Sequence, residues 1–83
     1  MNFYVYVIGT KTKPKKTYVG WTNNLKKRLY KHNLGLGAKF TRGRKWKILY
    51  SEILKSKKKA MSREFQLKKN RKLRSFLREG YPL

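Results

Sequence analysis

The chain contains no cysteine and no aspartate, a single histidine (His32), and only three acidic residues, Glu52, Glu64 and Glu79. Without cysteine there are no disulfides, no thiolate nucleophile and no Cys-ligated zinc, and one histidine cannot build a multi-His metal centre. No apolar run reaches the roughly 20 residues needed to cross a bilayer. Residues 1–8 alternate aromatic and β-branched side chains, where a secretory signal needs a basic head and an unbroken apolar stretch. The expectation is an intracellular protein, cytoplasmic or nuclear, that is not secreted and does not enter a membrane. Eighty-three residues leave room for one core, so residues 1–83 are expected to form a single domain.

What the chain has in excess is positive charge. Lys and Arg total 24, for a formal net charge of +21, and almost no cation has a carboxylate to pair with. Such a charge with low hydropathy is typical of disordered chains. Here 39% hydrophobic and 14% aromatic content, spread along the sequence, suffices for a packed core. The cations run the whole length, so self-repulsion must lower stability unless a polyanion is nearby. Nucleic acid is the obvious polyanion: contacts to roughly 6 to 10 phosphates would be ordinary, with binding that falls steeply with salt. Charge explains affinity for a backbone and gives no sequence preference. An anionic membrane surface would need an amphipathic basic helix with a bulky apolar face, which the C-terminal segment alone could imitate.

Residues 3–9, Phe-Tyr-Val-Tyr-Val-Ile-Gly, read as a strand ended by a breaker. A lysine-rich turn with Pro14 leads to a second short strand, Thr17 to Trp21, and the two form an antiparallel hairpin. Thr22 or Asn23 is placed to cap a helix carrying Leu25, Leu29 and Tyr30, which ends near Asn33 to Gly37. A basic glycine loop spans residues 35–44, and Trp46 to Ile53 fits a third strand. Ser56 then caps a helix with Ala60, Met61, Phe65, Leu67, Leu73, Phe76 and Leu77 as its inward stripe, broken or bent near residues 69–71 and stopped at Gly80. The fold class is α+β: a small three-stranded antiparallel sheet flanked by helices in the order β-β-α-β-α, the last helix in two pieces.

Acid/base and metal chemistry is limited to His32, the three glutamates and the tyrosines. Arg28 and His32, four apart, meet on one helix face. Tyr6 and Tyr18 lie on adjacent strands and can project from one sheet face. Glu64 shares a helix face with Ala60 and Leu67, which leaves its carboxylate partly buried. Each of these has a plain structural reading as core tyrosines, a solvated Arg/His pair or a surface glutamate.

Together, however, Tyr4-Val5-Tyr6, then Tyr18-Val19-Gly20, then Arg28 with His32, then Ala60-Met61-Ser62-Arg63-Glu64 resemble the motifs of the GIY-YIG nuclease family in order and spacing. The resemblance runs from residue 3 to about residue 69. It is closest to small single-domain members and to the nuclease module of the eukaryotic structure-specific endonuclease that also carries a RING finger. Residues 37–46 look like the loop those members place before the third strand. Tyr4 and Val5 depart from the first motif's Gly and Ile, and Val19 from the second motif's Ile. The family's late Asn is not assigned, Asn70 lying too close to Glu64.

The resemblance implies phosphodiester hydrolysis with one divalent ion, Mg2+ or Mn2+, held by Glu64 and completed by waters and a phosphate oxygen. Tyr6 would orient or deprotonate the attacking water. A phenol brought from about 10 to 7 needs roughly 4 kcal/mol of differential stabilisation, part of which the surrounding cations could supply. Tyr18 would hold water or phosphate in line, Arg28 would neutralise phosphoryl charge with its bidentate fork, and His32 would position the phosphate or assist proton transfer. Lys27, Lys31, Lys39, Thr41, Arg42, Arg44 and Lys68 are expected to grip the DNA backbone. Trp21 and Trp46 are expected to pack in the core or at its rim, and Glu52 and Glu79 to be structural or solvated. The implied function is a metal-dependent DNA endonuclease, of a kind used in DNA repair, directed by branched or flap structure or by a protein partner. The competing reading is a non-catalytic basic module that only binds nucleic acid.

Overall fold

Strand β1 (Phe3–Thr10) is apolar or aromatic at nearly every position, and its residues from Val5 onward are buried whichever way they point. A strand without a polar face must be covered on both sides, and β1 is the central one. In this computed structural model, which describes residues 2–80, the sheet order is β2-β1-β3, antiparallel throughout, with β2 at Thr17–Thr22 and β3 at Trp46–Leu54. Of the span 1–83 expected to form one domain, residue 1 and residues 81–83 lie outside the described ones.

Register sorts the side chains. Tyr6 pairs with Gly20 and Ile8 with Tyr18, while Val7 pairs with Val19 and Val5 with Trp21. Cross-strand partners share a face, so Tyr6, Ile8, Tyr18 and Gly20 face one way and the valines the other. Opposite β1, Val7 pairs with Tyr50 but Ile8 with Ile48. The bulge leaves Leu49 unpaired; it joins the valine cluster while Ile48 packs on the tyrosine side.

Helix α1 (Leu25–Asn33) covers the tyrosine face through Leu25 and Leu29. Helices α2 (Lys57–Lys69) and α3 (Arg71–Arg78) cover the valine face through Ala60, Leu67 and Leu77. Fully burying each such aliphatic side chain contributes about 1.5–3 kcal/mol. The architecture expected from the sequence, β-β-α-β-α-α in the α+β class, is the one observed.

Local details differ. Asn24, rather than Thr22 or Asn23, caps α1 by accepting from the Lys27 amide at 3.1 Å, because the Thr22 hydroxyl is already engaged with the Asn24 backbone. The glycine loop carries a single 3-10 turn, Lys39–Thr41. Asn70, at the break between α2 and α3, accepts from the Leu73 amide and so caps α3. Only part of the expected inward stripe faces in: Met61, Phe65 and Phe76 are exposed. The inward line on α2 is buried Ala60 and Leu67 with half-buried Glu64 between them, and residues one position on are rotated about 100° away toward water. The Phe65 ring instead carries the Lys69 ammonium at 4.3 Å from its centroid.

Candidate active site

The tyrosine face and α1 meet around His32. Its ring is fully enclosed: Nε2 is hydrogen-bonded with the Tyr6 hydroxyl at 2.8 Å and Nδ1 with the Thr41 hydroxyl at 2.9 Å. The Thr41 hydroxyl also donates to the Ala38 carbonyl at 2.8 Å. Tyr18 presents its ring edge-on to His32, centroids 5.2 Å apart, and its other neighbour is the stacked Phe40 ring at 6.2 Å.

Two glycines make this packing possible. A Cβ on Gly20 would collide with the Tyr6 hydroxyl and lie 2.7 Å from its Cζ. Gly20 therefore makes room for the phenol from inside β2. A Cβ on Gly37 would collide with His32 Nδ1 and lie 2.9 Å from Cε1.

Arg28 lies between this buried pair and an open cleft of about 200 Å3 lined by Thr22, Asn23, Asn24, Lys27 and Lys31 together with Arg28 itself. Burial pushes the Tyr6 phenol above its ordinary value. Arg28 opposes that through hydrogen bonding and charge, while the nearby Tyr18 and Glu64 add to the rise. The expected lowering by surrounding cations does not occur, because desolvation of an almost fully enclosed phenol outweighs one guanidinium. His32 is lowered to about 4, by burial first and by the Arg28 charge second, so it is neutral at pH 7.

Tyr6, Tyr18, His32 and Arg28 are thus brought together from β1, β2 and α1, whereas Glu64, on α2, bears on them through its charge, felt at Tyr6. The Glu64 side chain is 22% exposed and its ion-pair partner is Lys68, at 3.7 Å and 53% exposed. Among the described residues no group of three or more His, Cys, Asp or Glu could hold a metal. A lone carboxylate satisfied by one flexible ammonium fits a hard divalent ion that draws its remaining ligands from water and phosphate. Glu52 is occupied elsewhere, receiving Arg63 Nε at 2.8 Å and a guanidinium NH at 2.8 Å, with the Tyr50 hydroxyl also donating to it.

The residues expected to grip DNA separate into two groups. Lys27 and Lys31 flank Arg28 on the exposed side of α1; Lys39 and Arg42 are exposed around the 3-10 turn; the Arg44 guanidinium lies 5.5 Å from the Phe40 ring centroid. Thr41 is corrected: with 0% exposure and its hydroxyl shared between His32 and Ala38, it cannot reach a substrate backbone. The sequence reading missed its buried role, as it missed Gly37; a loop of glycines, lysines and arginines gives no periodic signal to mark one inward residue.

The family model of the GIY-YIG catalytic domain matches residues 2–76. The chain belongs to the GIY-YIG family. A UPF0213 protein of Clostridium perfringens is 51% identical over 67 residues, covering 80% of this chain and 70% of the relative. A UPF0213 protein of Streptococcus pyogenes serotype M5 is 49% identical over 73 residues, covering 87% and 76%. The solution NMR structure of the UPF0213 protein BH0048 from Bacillus halodurans has 34% identity and a TM-score of 0.51, covering 96% of this chain and 86% of that one. This GIY-YIG domain is accordingly a small member of a nuclease family with the family's three-stranded sheet. Among its described residues no helix is long and apolar enough to cross a membrane.

Proposed function

We propose that this GIY-YIG protein is a divalent-metal-dependent endonuclease that hydrolyses phosphodiester bonds in DNA, directed by branched or flap structure or by a protein partner. The observation that carries the reading is the 2.8 Å hydrogen bond between Tyr6 and His32 beside Arg28. A phenol that stays neutral at pH 7 is a poor base by itself, and next to an unprotonated imidazole nitrogen it becomes a proton shuttle. As the water oxygen bonds to phosphorus, one water proton passes to the Tyr6 oxygen while the Tyr6 proton passes to His32 Nε2. The P–O bond to the leaving ester oxygen breaks, and that oxygen is reprotonated from solvent. No free phenolate has to form.

Arg28 supplies the second element. Its fork can hold two phosphoryl oxygens while charge develops on them. A phosphate placed there also offsets the guanidinium charge that disfavours His32 protonation, so substrate binding itself makes the imidazole a better proton acceptor. Tyr18, edge-on to His32, would restrict where water can sit. Glu64 would hold the divalent ion, which when bound stabilises negative charge on the phosphate. Lys27, Lys31, Lys39, Arg42, Arg44 and Lys68 would grip the backbone without reading bases. A domain this small has little surface for base readout, which favours targeting by DNA shape or by another protein.

The test is cleavage of branched, flap and plain duplex DNA with Mg2+ or Mn2+, comparing the natural chain with Glu64→Ala. Cuts made by the natural chain and lost in the variant are expected. DNA binding without cleavage in both would leave a non-catalytic binding module.

A further inference from the structure

We infer that Thr41 is a positioning residue that decides which nitrogen of His32 carries the proton, and so keeps Nε2 free to accept from Tyr6. The argument is one of counting donors. A hydroxyl has one proton, and the Ala38 carbonyl, 2.8 Å from Thr41 Oγ1, can only accept. Turning the hydroxyl proton toward His32 would leave two oxygen lone pairs facing each other inside a fully enclosed site, where an unpaired polar contact is costly. The Thr41 proton therefore goes to Ala38, and at the 2.9 Å contact with His32 the hydroxyl oxygen must accept. Nδ1 then carries the hydrogen, Nε2 does not, and the 2.8 Å contact with Tyr6 runs from the phenol O–H to the imidazole. With Arg28 facing the Tyr6 oxygen as a donor, one lone pair of that oxygen is left for a water.

Thr41 is held for this task. Its amide donates to the Ala38 carbonyl at 3.0 Å, its carbonyl accepts the indole N–H of buried Trp46 at 2.9 Å, and its side chain is fully enclosed. At the same nitrogen, the absence of a side chain on Gly37 lets that segment lie directly against Nδ1 and Cε1. The opposite tautomer would put a hydrogen on Nε2, force Tyr6 to accept, and aim the phenol proton outward, reversing the direction in which a proton can move.

The catalytic consequence rests on the endonuclease reading; the tautomer does not, and the experiment separates them. Long-range 1H–15N correlation spectra of the 15N-labelled protein at pH 7 report which His32 nitrogen is protonated. The natural chain and Thr41→Ser should show the hydrogen on Nδ1. Thr41→Val, nearly isosteric but without an acceptor, should shift it to Nε2. On a DNA substrate that is cut, Thr41→Val should lower kcat on the order of 100-fold with KM little changed, and Thr41→Ser should restore it. A natural chain protonated on Nε2, or an unchanged tautomer in Thr41→Val, would overturn the inference. Should Thr41→Val not fold, the spectra of the natural chain and of Thr41→Ser still decide it. If no DNA is cut by any form, the spectra judge Thr41 while the endonuclease reading fails by itself.

Discussion

Tyr6 and His32, 26 residues apart in sequence, share a buried 2.8 Å hydrogen bond at the junction of β1 and α1. Neither group is suited alone to take a proton from water at neutral pH: the phenol is raised by burial and the imidazole is lowered to about 4. Linked, they offer a route in which the proton crosses the phenol and charge resides on the imidazole, close to where an anionic phosphate would stand.

Gly20→Ala should disable the site more than the fold. The added methyl would collide with a phenol that has nowhere to go, since Tyr6 is almost fully buried. A misplacement of about 1 Å at a reacting group can cost on the order of 100-fold in rate. Cleavage assays beside melting curves should show that loss with the transition still cooperative. Unchanged cleavage would mean that the phenol's position does not matter.

Lys68→Met should strengthen metal binding. The ammonium 3.7 Å from Glu64 competes with any divalent ion for that carboxylate. An exposed pair of this kind contributes about 0.2–1 kcal/mol, or roughly a 1.4- to fivefold tighter Mn2+ dissociation constant. Mn2+ titration followed by EPR, without DNA, reads this directly; Glu64→Gln should abolish the binding.

Acidification should destabilise the fold through His32. In the unfolded chain the imidazole gains a proton near pH 6.5, whereas in the fold it resists until about pH 4. Between these values the unfolded state binds more protons, so stability is fully present above pH 6.5 and declines as pH falls. From pH 7 to pH 5 the loss is on the order of 2 kcal/mol, or about 10 °C in Tm. His32→Gln should flatten the Tm curve over that window, and an equally steep curve in the variant would assign the effect to other groups.

Arg63→Ala should lower Tm. Arg63 joins α2 to β3 by a paired contact with Glu52, which Tyr50 also satisfies, and this bonding holds the Glu52 carboxyl below its usual range. Loss of a half-exposed bidentate pair is worth about 1 kcal/mol, or roughly 4–8 °C for a domain this size. Arg63→Lys should not fully restore it, because an ammonium cannot reproduce the two-pronged geometry. The stabilisation is present above the unfolded carboxyl pKa and lost as pH falls through the lower folded value, so thermal melts at pH 7 show the difference at its largest.

Much of the fold was legible because its signals are local. The unbroken apolar run of β1 called for coverage on both faces, and Ser56 marked the start of α2. The split near residues 69–71 was visible as a break, although only the structure shows Asn70 capping α3 there. The stripe on α2 and α3 was read too widely. Met61, Phe65 and Phe76 have the right residue type but the wrong rotation, and hydrophobicity outranked angular position in that reading. Trp46 and Trp21 went to packing as expected, one in the core and one at its rim between Phe3 and Lys57.

Residue types and their order along the chain determined that this protein is a basic α+β domain of the GIY-YIG family, with 24 Lys and Arg against three glutamates. Those properties follow from composition, from alternation along strands and from motif spacing, all of which survive in one dimension. Tertiary structure decided the surroundings of Tyr6 and His32. Whether a phenol is raised or lowered depends on how much water remains around it, and which imidazole nitrogen is protonated depends on where one hydroxyl in a basic loop points. Both are set by packing among side chains distant in sequence, and neither leaves a mark on the order of the residues.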